Sequence, residues 1–498
     1  MSDRGRLSVA IAGVLAMLAT VGHLLSPPSF DPPRLSEGDN FLSLPPQPAA
    51  ESRPVPHDGA ISVEDITVPA QGTTLGATIR SPRTPGRHPA LVFVQGSGPG
   101  ERGEFTTQAT WLARAGVVTL TYDKRSVGYD FRHRDFALLA DDALRMIEVL
   151  RGRADVDPAR AGLWGVSEGS WVVPIAAARS ADVGFNVLVS APNVTPLRQV
   201  AWALNEQLQR LYAPSGVREL LTKAMGGVGF DFLRYDSVPA MKRMKQPVLA
   251  LYGTMDPSIP FVESTQALTS SLAAGGNSDY TIRFLAGADH AMRVNGGPFA
   301  HGYLETLANW VLGLPGTAVP PEGARIAGAT PVQRFEAADV PKAPWYARTA
   351  ILGLALTLTA VGYVAAPVTE MVVRLRGREV IPPARCELWP GVRRRLRRMA
   401  WTGVGLLASV LAFITLIVLF SVNQAGAWPA VLSGWLVVRV LAILMLVQEV
   451  TAVAAVVSAV RDGWQPGRWQ RFAVAAVLGG TALLMVTAAY YGLFGIPW

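Results

Sequence analysis

The chain has 498 residues, of which 50% are hydrophobic and only 16% are charged. Soluble domains carry roughly 25% charged residues, so this deficit argues against a wholly soluble protein and indicates membrane segments. The apolar residues concentrate in residues 7–25 and again after residue 346. The middle of the chain has the composition of a soluble domain large enough to bury a full core.

The formal net charge is +8. Much of this excess comes from one arginine cluster between two apolar segments, made up of Arg374, Arg376, Arg378, Arg385, Arg393, Arg394, Arg395, Arg397 and Arg398. No basic cluster lies in the soluble middle, which argues against a nucleic-acid partner. The single cysteine, Cys386, permits neither an intramolecular disulfide nor a thiolate metal site.

The N-terminus carries Arg4 and Arg6 directly before the apolar run 7–25. At about 1.5 Å per helical residue, this run just spans a hydrocarbon core of about 30 Å. No clear cleavage site follows, so we interpret residues 1–25 as an uncleaved membrane anchor rather than a signal peptide. Residues 26–60 are rich in proline and predict an extended linker that does not pack.

Strands and helices alternate over residues 61–312. The first two predicted strands form an opening hairpin, and continuous apolar runs typical of buried parallel strands follow at 91–94, 117–122, 187–189 and 248–251. A further strand at 280–284 and a closing helix at 303–312 complete the series. The pattern predicts an α/β fold with a doubly wound, mostly parallel sheet. Residues 193–246 are helical instead and predict a cap over the active site.

One strand in this series ends in Gly165-Val166-Ser167-Glu168-Gly169, and a helical pattern follows. A strand, a sharp turn with serine and a helix are typical of a nucleophile elbow. The two glycines are needed there because the turn is strained and the helix lies close to neighbouring strands. The alternative interpretation is an ordinary glycine-rich turn, so the assignment depends on partners further along the chain.

A serine nucleophile needs a base and an acid that orients it, in the chain order serine, acid, histidine. Asp256 follows the 248–251 strand, and His290 lies in the loop after the 280–284 strand. His301 is the second candidate for the base but falls at the start of the closing helix. Asp289 is adjacent to His290, and adjacent side chains diverge. The predicted catalytic residues are therefore Ser167, Asp256 and His290.

The oxyanion of a tetrahedral intermediate requires amide donors. We expect one from Glu168, the residue after the nucleophile, and one from Ser97 in the loop Gln95-Gly96-Ser97-Gly98-Pro99-Gly100. The same loop could be a phosphate cradle, but it lacks the GxGxxG spacing and the lysine-serine pair of such loops. No metal and no organic cofactor is expected.

Several further motifs carry a family resemblance. They are Gln95-Gly96-Ser97-Gly98-Pro99, Tyr122-Asp123-Lys124-Arg125-Ser126-Val127-Gly128, Leu139-Ala140-Asp141-Asp142-Ala143, Asp155-Val156-Asp157-Pro158-Ala159-Arg160, Gly253-Thr254-Met255-Asp256 and Gly287-Ala288-Asp289-His290. With the elbow, they make residues 61–312 resemble bacterial serine hydrolases of the α/β-hydrolase superfamily. Within this superfamily the resemblance lies near the branches of the dienelactone hydrolases, the bile-acid-thioesterase-like (BAAT-like) enzymes and the serine-aminopeptidase-like enzymes.

The resemblance implies a serine-hydrolase fold and triad but no particular substrate, because this superfamily hydrolyses esters, thioesters and amides. Three positions depart from the family pattern. Gln95 stands where the family usually has histidine, which bears on the orientation of the oxyanion loop. Ser126 replaces a usual glycine, and Ser170 replaces a frequent second glycine after the elbow.

A second linker is predicted over 313–345, and residues 346–498 form a predicted transmembrane domain. Its four apolar segments cover 346–366, 399–421, 431–457 and 472–494. With Arg4 and Arg6 inside, every basic loop falls on the inner side and the hydrolase falls outside. Arg439 lies well within one segment, which indicates either packing against polar groups or a polar site in the bundle.

The sequence therefore predicts a multi-pass cell-membrane protein with an extracytoplasmic serine hydrolase domain. The expected substrate is a small-molecule or lipid-like carboxylic ester, cleaved through an acyl-enzyme. Three alternatives stay open: a peptidase or thioesterase on the same triad, an acyltransferase, and a ligand-sensing pseudo-hydrolase coupled to the transmembrane helices.

Overall fold

The computed structural model describes residues 3–36, 44–320, 323–376, 388–422 and 428–495. The chain forms two compact units. One, called here the hydrolase unit, comprises Pro32–Glu206 and Phe230–Asp339. The other, called here the helical unit, comprises Met1–Asp31, Gln207–Gly229 and Val340–Trp498.

The hydrolase unit is built on one nine-stranded sheet. Its strands are β1 Ile61–Ala70, β2 Thr73–Pro82, β3 His88–Val94, β4 Val118–Tyr122, β5 Val156–Val166, β6 Asn186–Val189, β7 Val248–Gly253, β8 Tyr280–Leu285 and β9 Ile326–Gly328. They lie in the order β1-β2-β4-β3-β5-β6-β7-β8-β9. β1 and β2 form the predicted antiparallel hairpin, β2 pairs antiparallel with β4, and all later pairings are parallel.

Helices cover both faces of this sheet. They are α2 Thr106–Arg114, α3 Phe136–Arg151, α4 Gly169–Arg179, α7 Val238–Met241, α8 Phe261–Ala274 and α9 Tyr303–Gly313. One core lies between the sheet and α3, α4, α7 and α8, and a second lies between the sheet and α2 and α9. Because both faces are covered, the central strands β4, β6 and β7 are buried along their whole length. The predicted doubly wound α/β fold is confirmed.

Contrary to the expectation of a free linker, most of the proline-rich segment before the sheet belongs to the hydrolase unit and packs against β8, α2 and α9. Glu51 pairs with the fully buried Arg283 on β8, at 2.5 Å. Val55 is buried in the core beside α2 and α9. The Asn309 side-chain amide also donates to the carbonyl oxygens of Glu51 and Arg53, at 3.0 and 2.9 Å. Proline composition alone did not reveal these anchors. The second predicted linker, 313–345, is not free either, because it contributes the short strand β9 at one edge of the sheet.

The predicted cap at 193–246 divides between the two compact units. It contains α5 Pro196–Arg210 and α6 Ser215–Gly227 in addition to α7. Within the hydrolase unit, the buried Trp202 of α5 donates its indole N–H to the carbonyl of Phe335, at 2.9 Å. Residues 207–229, which include α6, group with the helical unit.

The helical unit also contains α1 Asp3–Leu25, α10 Thr349–Arg376, α11 Pro390–Val422, α12 Trp428–Arg461 and α13 Arg468–Tyr490. In the described part of the chain, four helices are long and apolar enough to cross a membrane: Gly5–Leu25, Pro390–Ile417, Pro429–Arg461 and Arg468–Tyr490. The described apolar stretch of α10, Thr349–Ala365, is shorter. Cys386 lies outside the described residues.

Close helix packing in this unit depends on small residues. A Cβ on Gly362 of α10 would lie 2.4 Å from the carbonyl oxygen of Ala476 on α13.

Arg439 donates from Nε to the carbonyl of Leu493, at 3.3 Å, and from a terminal nitrogen to the carbonyl of Gly495. Its guanidinium also lies over the Trp435 ring, 5.8 Å from the centroid. Arg439 thus packs against polar backbone groups, the simpler of the two interpretations of this residue.

Candidate active site

The predicted elbow occupies the junction of β5 and α4. Ser167 has a φ of 52°, which is the left-handed conformation that residues with a side chain rarely adopt. A Cβ on Gly165 would lie 2.6 Å from the carbonyl oxygen of Gly169. A Cβ on Gly169 would lie 2.5 Å from the carbonyl oxygen of Val94. Both glycines are therefore required by close backbone approach, and Ser167 is held in a strained turn.

Asp256 and His290 meet at the same edge of the sheet. Nδ1 of His290 lies 2.7 Å from Oδ2 of Asp256, whose side chain is fully buried. The other carboxylate oxygen of Asp256 accepts the amide of Ser258, at 2.8 Å. The loops that carry the pair touch at Gly253, where a Cβ would lie 2.4 Å from the carbonyl oxygen of Ala288. The Asp256 carboxylate therefore fixes the orientation of the His290 ring.

Ser190 connects this pair to the elbow and was not predicted from the sequence. It follows β6, with a φ of 46°. Its hydroxyl donates to the carbonyl of His290, at 2.9 Å. The residue before it, Val189, accepts the amide of Ser167, at 3.0 Å. Ser190 thus ties the backbone of His290 to the strand end beside Ser167. Its signal in the sequence is only its position at the end of a buried strand.

Burial lowers the pKa of His290, but the charge and hydrogen bond of Asp256 and the charge of Asp289 outweigh this effect. The net result is a pKa above the ordinary value for histidine. The Asp289 side chain also stabilises the loop that carries His290, because its Oδ1 accepts hydrogen bonds from the backbone amides of Ala291 and Arg293, at 2.9 and 2.8 Å. His301 is exposed at the turn before α9.

The loop after β3 passes beside the elbow. A Cβ on Gly96 would lie 3.6 Å from Cβ of Ser167, and the next residue, Ser97, is exposed. Gln95, which stands where histidine is usual, is buried, and its side-chain amide donates to the carbonyl of Tyr122. This bond fastens the start of the loop to the end of β4. Ser97 and Glu168, the predicted amide donors, thus belong to adjoining segments.

A buried polar cluster surrounds the side chain of Glu168. One carboxylate oxygen accepts from Nζ of Lys124, at 2.6 Å, and from the hydroxyl of Tyr129, at 2.7 Å. The other accepts from Arg134, at 2.6 Å. Lys124 also donates to the carbonyl of Gly96, at 2.6 Å, and the amide of Gly98 donates to the Tyr129 hydroxyl, at 3.1 Å.

The cluster is almost closed to solvent. The side chains of Lys124 and Glu168 are 3% and 1% exposed. Burial lowers the pKa of Lys124 despite its pairing with Glu168, and burial together with Glu168 raises the pKa of Tyr129. Sequence reasoning missed the role of Lys124, Tyr129 and Arg134. The available signal was the position of Lys124 two residues after β4, the strand beside the oxyanion loop.

Among the described residues, no group of three or more histidine, cysteine, aspartate or glutamate side chains is arranged to hold a metal ion. The chemistry available at this edge of the sheet is that of a hydroxyl, an oriented imidazole and backbone amides. Together with the strand order, the elbow gives the unit built on the nine-stranded sheet an α/β-hydrolase fold.

Comparison with known proteins found a family and a curated relative with similar sequences. Residues 104–312 match the prolyl oligopeptidase family. Esterase EstD of Thermotoga maritima is 29% identical over 220 residues, which is 39% of this chain and 52% of the esterase. The chain therefore spans about half the length of this curated relative. The family match and the esterase support a serine hydrolase of the α/β-hydrolase type.

Solved structures with a similar arrangement cover about half of this chain. A hypothetical protein from Pseudomonas aeruginosa is 15% identical, with a TM-score of 0.38, and the match covers 52% of this chain and 95% of that protein. A puromycin-hydrolyzing peptidase of Mycobacterium tuberculosis is 17% identical, with a TM-score of 0.37, and covers 56% of this chain and 43% of its own.

Proposed function

We propose that this protein is a membrane-bound, extracytoplasmic hydrolase of carboxylic esters that uses Ser167, His290 and Asp256 as a catalytic triad. The observation that carries the proposal is the pairing of Asp256 with His290 at the edge of the sheet formed by the carboxyl ends of the parallel strands, where Ser167 occupies a strained elbow. The identity to an esterase favours an ester substrate.

In the proposed first step, Oγ of Ser167 attacks the acyl carbonyl while Nε2 of His290 accepts the hydroxyl proton. The carbonyl π electrons move onto oxygen, and the amides of Glu168 and Ser97 stabilise this oxyanion. When the intermediate collapses, the bond to the alcohol breaks and His290 returns the proton to the leaving oxygen. Asp256 holds the ring and stabilises its charged form throughout.

The second step releases the acyl group. Water attacks the acyl-serine, His290 accepts its proton, and collapse of the second intermediate returns that proton to Oγ of Ser167. The products are a carboxylic acid and the free enzyme. One amide donor of the oxyanion is worth roughly 10²–10³-fold in kcat, so the two donors are a major part of the proposed catalysis.

A peptidase is the second candidate function, favoured by the match to the prolyl oligopeptidase family. The triad chemistry is the same, and an amine leaves in place of an alcohol. Paired p-nitrophenyl esters and aminoacyl p-nitroanilides with the same acyl group separate the two. A kcat/KM that is higher for the anilides would overturn the ester assignment.

The experiment that tests the nucleophile is labelling of the full-length protein with a fluorophosphonate probe. We expect wild type to be labelled and Ser167→Ala to be unlabelled and inactive. Ser170→Ala is the matched control. The Ser170 hydroxyl donates to the backbone carbonyl of Ser167, and the substitution removes a serine hydroxyl without removing the proposed nucleophile. Equal labelling of wild type and Ser167→Ala would contradict the proposal.

The orientation in the membrane is part of the proposal and rests on the distribution of arginines in the sequence. The native thiol of Cys386 should resist a membrane-impermeant maleimide in intact spheroplasts and react once they are permeabilised. In the double variant Cys386→Ser/Ser52→Cys, the new thiol at position 52 should react with the maleimide while the membrane is still sealed. The reverse pattern would place the hydrolase unit inside the cell.

A further inference from the structure

The Ser97 peptide is held from both sides by the buried cluster around Glu168. We propose that Lys124, Tyr129 and the Glu168 side chain are positioning residues for the oxyanion donors, an inference that rests on the proposed function. None of these three side chains reacts; each would act through the backbone amides of Ser97 and Glu168.

The first step of the argument concerns the peptide group that joins Gly96 to Ser97. Nζ of Lys124 donates to its carbonyl oxygen, at 2.6 Å. In a trans peptide the C=O and N–H bonds point in opposite directions. By fixing the oxygen, Lys124 therefore also fixes the direction of the Ser97 N–H. A buried ammonium at the oxygen polarises the peptide as well, which strengthens its N–H as a donor.

The second step concerns the next part of the loop. The amide of Gly98 donates to the Tyr129 hydroxyl, at 3.1 Å, and that hydroxyl donates to Glu168, at 2.7 Å. Lys124 donates to the same carboxylate oxygen of Glu168, at 2.6 Å. Glu168 carries the other proposed donor on its own backbone. One carboxylate thus links the two segments that bear the two amides.

The test uses Lys124→Met and Tyr129→Phe in the full-length protein. We expect kcat to fall roughly 10- to 100-fold with KM nearly unchanged, because the donors act on the transition state. The affinity for a trifluoromethyl ketone, which mimics the tetrahedral oxyanion, should fall by a similar factor. Tyr235→Phe is the matched control, since Tyr235 is half-buried and lies beside Phe136 instead of the loop.

Two outcomes would overturn the inference. One is an unchanged kcat and ketone affinity in both variants while Ser167→Ala is inactive, which leaves the proposed function intact. The other is an equal loss in Tyr235→Phe, which would indicate a general effect on folding. If Ser167→Ala retains activity, the proposed function itself fails. If Lys124→Met does not fold, Tyr129→Phe, which removes one hydroxyl, still decides the question.

A separate observation in the helical unit leads to a second inference. A cavity of about 460 Å³ opens between α10 and α11. Its walls are mostly apolar, and two arginines of α11 lie at its border; the lining includes Tyr363, Val364, Leu396, Ala400, Trp401, Val404, Arg393 and Arg397. We infer that this cavity binds one anionic phospholipid, with an acyl chain along the apolar wall and the phosphate at the two arginines.

The shape of the cavity supports an amphiphile. Beside the lining residues Trp401 and Val404, the Tyr363 side chain of α10 approaches α11, where a Cβ on Gly403 would lie 2.2 Å from its hydroxyl oxygen. Towards the start of α11 come Arg397 and then Arg393, two and three turns before that approach. Basic pockets between transmembrane helices bind anionic headgroups. Along α11 both arginines precede the apolar lining residues Ala400, Trp401 and Val404, an order that suits a phosphate followed by an acyl chain.

The same helix offers a matched control for the experiment. Arg394 and Arg398 have the same i, i+4 spacing as Arg393 and Arg397, are exposed, and do not line the cavity. The double variants Arg393→Gln/Arg397→Gln and Arg394→Gln/Arg398→Gln remove equal charge from neighbouring turns. Native mass spectrometry of the full-length protein would measure binding of phosphatidylglycerol and phosphatidylcholine to each.

We expect phosphatidylglycerol to bind wild type more tightly than phosphatidylcholine does. Its affinity should fall roughly 10- to 30-fold in Arg393→Gln/Arg397→Gln and less than threefold in the control pair. Ala400→Phe, which fills the apolar wall, should also weaken binding without loss of charge. Inorganic phosphate at millimolar concentration should not displace the lipid. Equal losses in both double variants, equal affinity for the two lipids, displacement by phosphate or normal binding by Ala400→Phe would each overturn the site.

Discussion

The two compact units use apolar residues in opposite ways. The hydrolase unit buries them on both faces of its sheet, and its central strands are closed to solvent. The helical unit leaves many large apolar side chains on its outer surface: Leu354 is 54% exposed, Leu411 is 68% exposed and Val440 is 61% exposed. Such a surface is unfavourable in water and suits hydrocarbon. Apolar side chains therefore form an interior in the hydrolase unit and much of the outer surface in the helical unit.

Polar groups differ in the same way. In the hydrolase unit, buried charges form paired clusters such as Arg125 with Asp142, joined by two bonds of 2.6 Å. In the helical unit, the part-buried Arg439 is satisfied by backbone carbonyls instead. The Arg125 charge is therefore matched by a carboxylate, whereas the Arg439 charge is met by peptide dipoles.

The largest expected effect lies in the hydrolase unit. Asp256→Asn keeps the shape of the side chain but removes the charge that orients and stabilises charged His290. We expect kcat/KM to fall by about 10⁴-fold, as in serine hydrolases with a triad. Steady-state ester hydrolysis measures this, with thermal unfolding as the control for folding. A loss below tenfold in folded protein would remove Asp256 from the triad.

The next effect concerns the elbow. In Gly169→Ala, the new Cβ would overlap the backbone of Val94 and Gln95, at 2.5 and 2.9 Å. We expect a stability loss of roughly 1–3 kcal/mol from overpacking, together with reduced fluorophosphonate labelling. Chemical denaturation and labelling rates measure the two. Wild-type values for both would show that α4 can move away from β3 without disturbing Ser167.

The pH dependence of hydrolysis should sharpen the comparison further. Because Asp256 and Asp289 raise the pKa of His290, the acid limb of the kcat/KM profile should lie above the ordinary histidine value of about 6.5. Activity is lost as pH falls through this limb, since the base becomes protonated. In Asp256→Asn, burial becomes the main influence on the pKa of His290 and lowers it, so the acid limb should move to lower pH. An upward shift in that variant would contradict the assignment of His290 as base.

The smallest effect is expected for a glycine of the helical unit. Gly479 of α13 is exposed, and a Cβ there meets nothing within 4 Å. Gly479→Ala should leave stability unchanged or raise it by about 0.5–1 kcal/mol through helix propensity. Gly362→Ala, which would contact Ala476 at 2.4 Å, should destabilise the unit. Thermal unfolding in one detergent compares them, and equal effects would mean that α10 and α13 do not pack as described.

Local patterns in the sequence were sufficient for much of the fold. The apolar runs predicted the strands because a strand covered on both faces has no polar side. The elbow and the residues after β7 and β8 were also recognisable, since parallel strands present their carboxyl ends at one edge. Asp256 and His290 therefore follow β7 and β8, as chain order predicted, and length and hydropathy predicted the four described helices that are long enough to cross a membrane.

Other features depend on contacts between residues far apart in the chain, which a local pattern does not contain. The proline-rich segment packs because Glu51 meets Arg283, more than two hundred residues away. Lys124, Tyr129 and Ser190 acquire their roles only because β4, β3, β5 and β6 lie side by side in the sheet. Residue type and local order thus determined the strands and the candidate nucleophile, base and acid. The tertiary structure alone decided which polar side chains hold the Ser97 loop beside the elbow, because those bonds join segments that follow different strands.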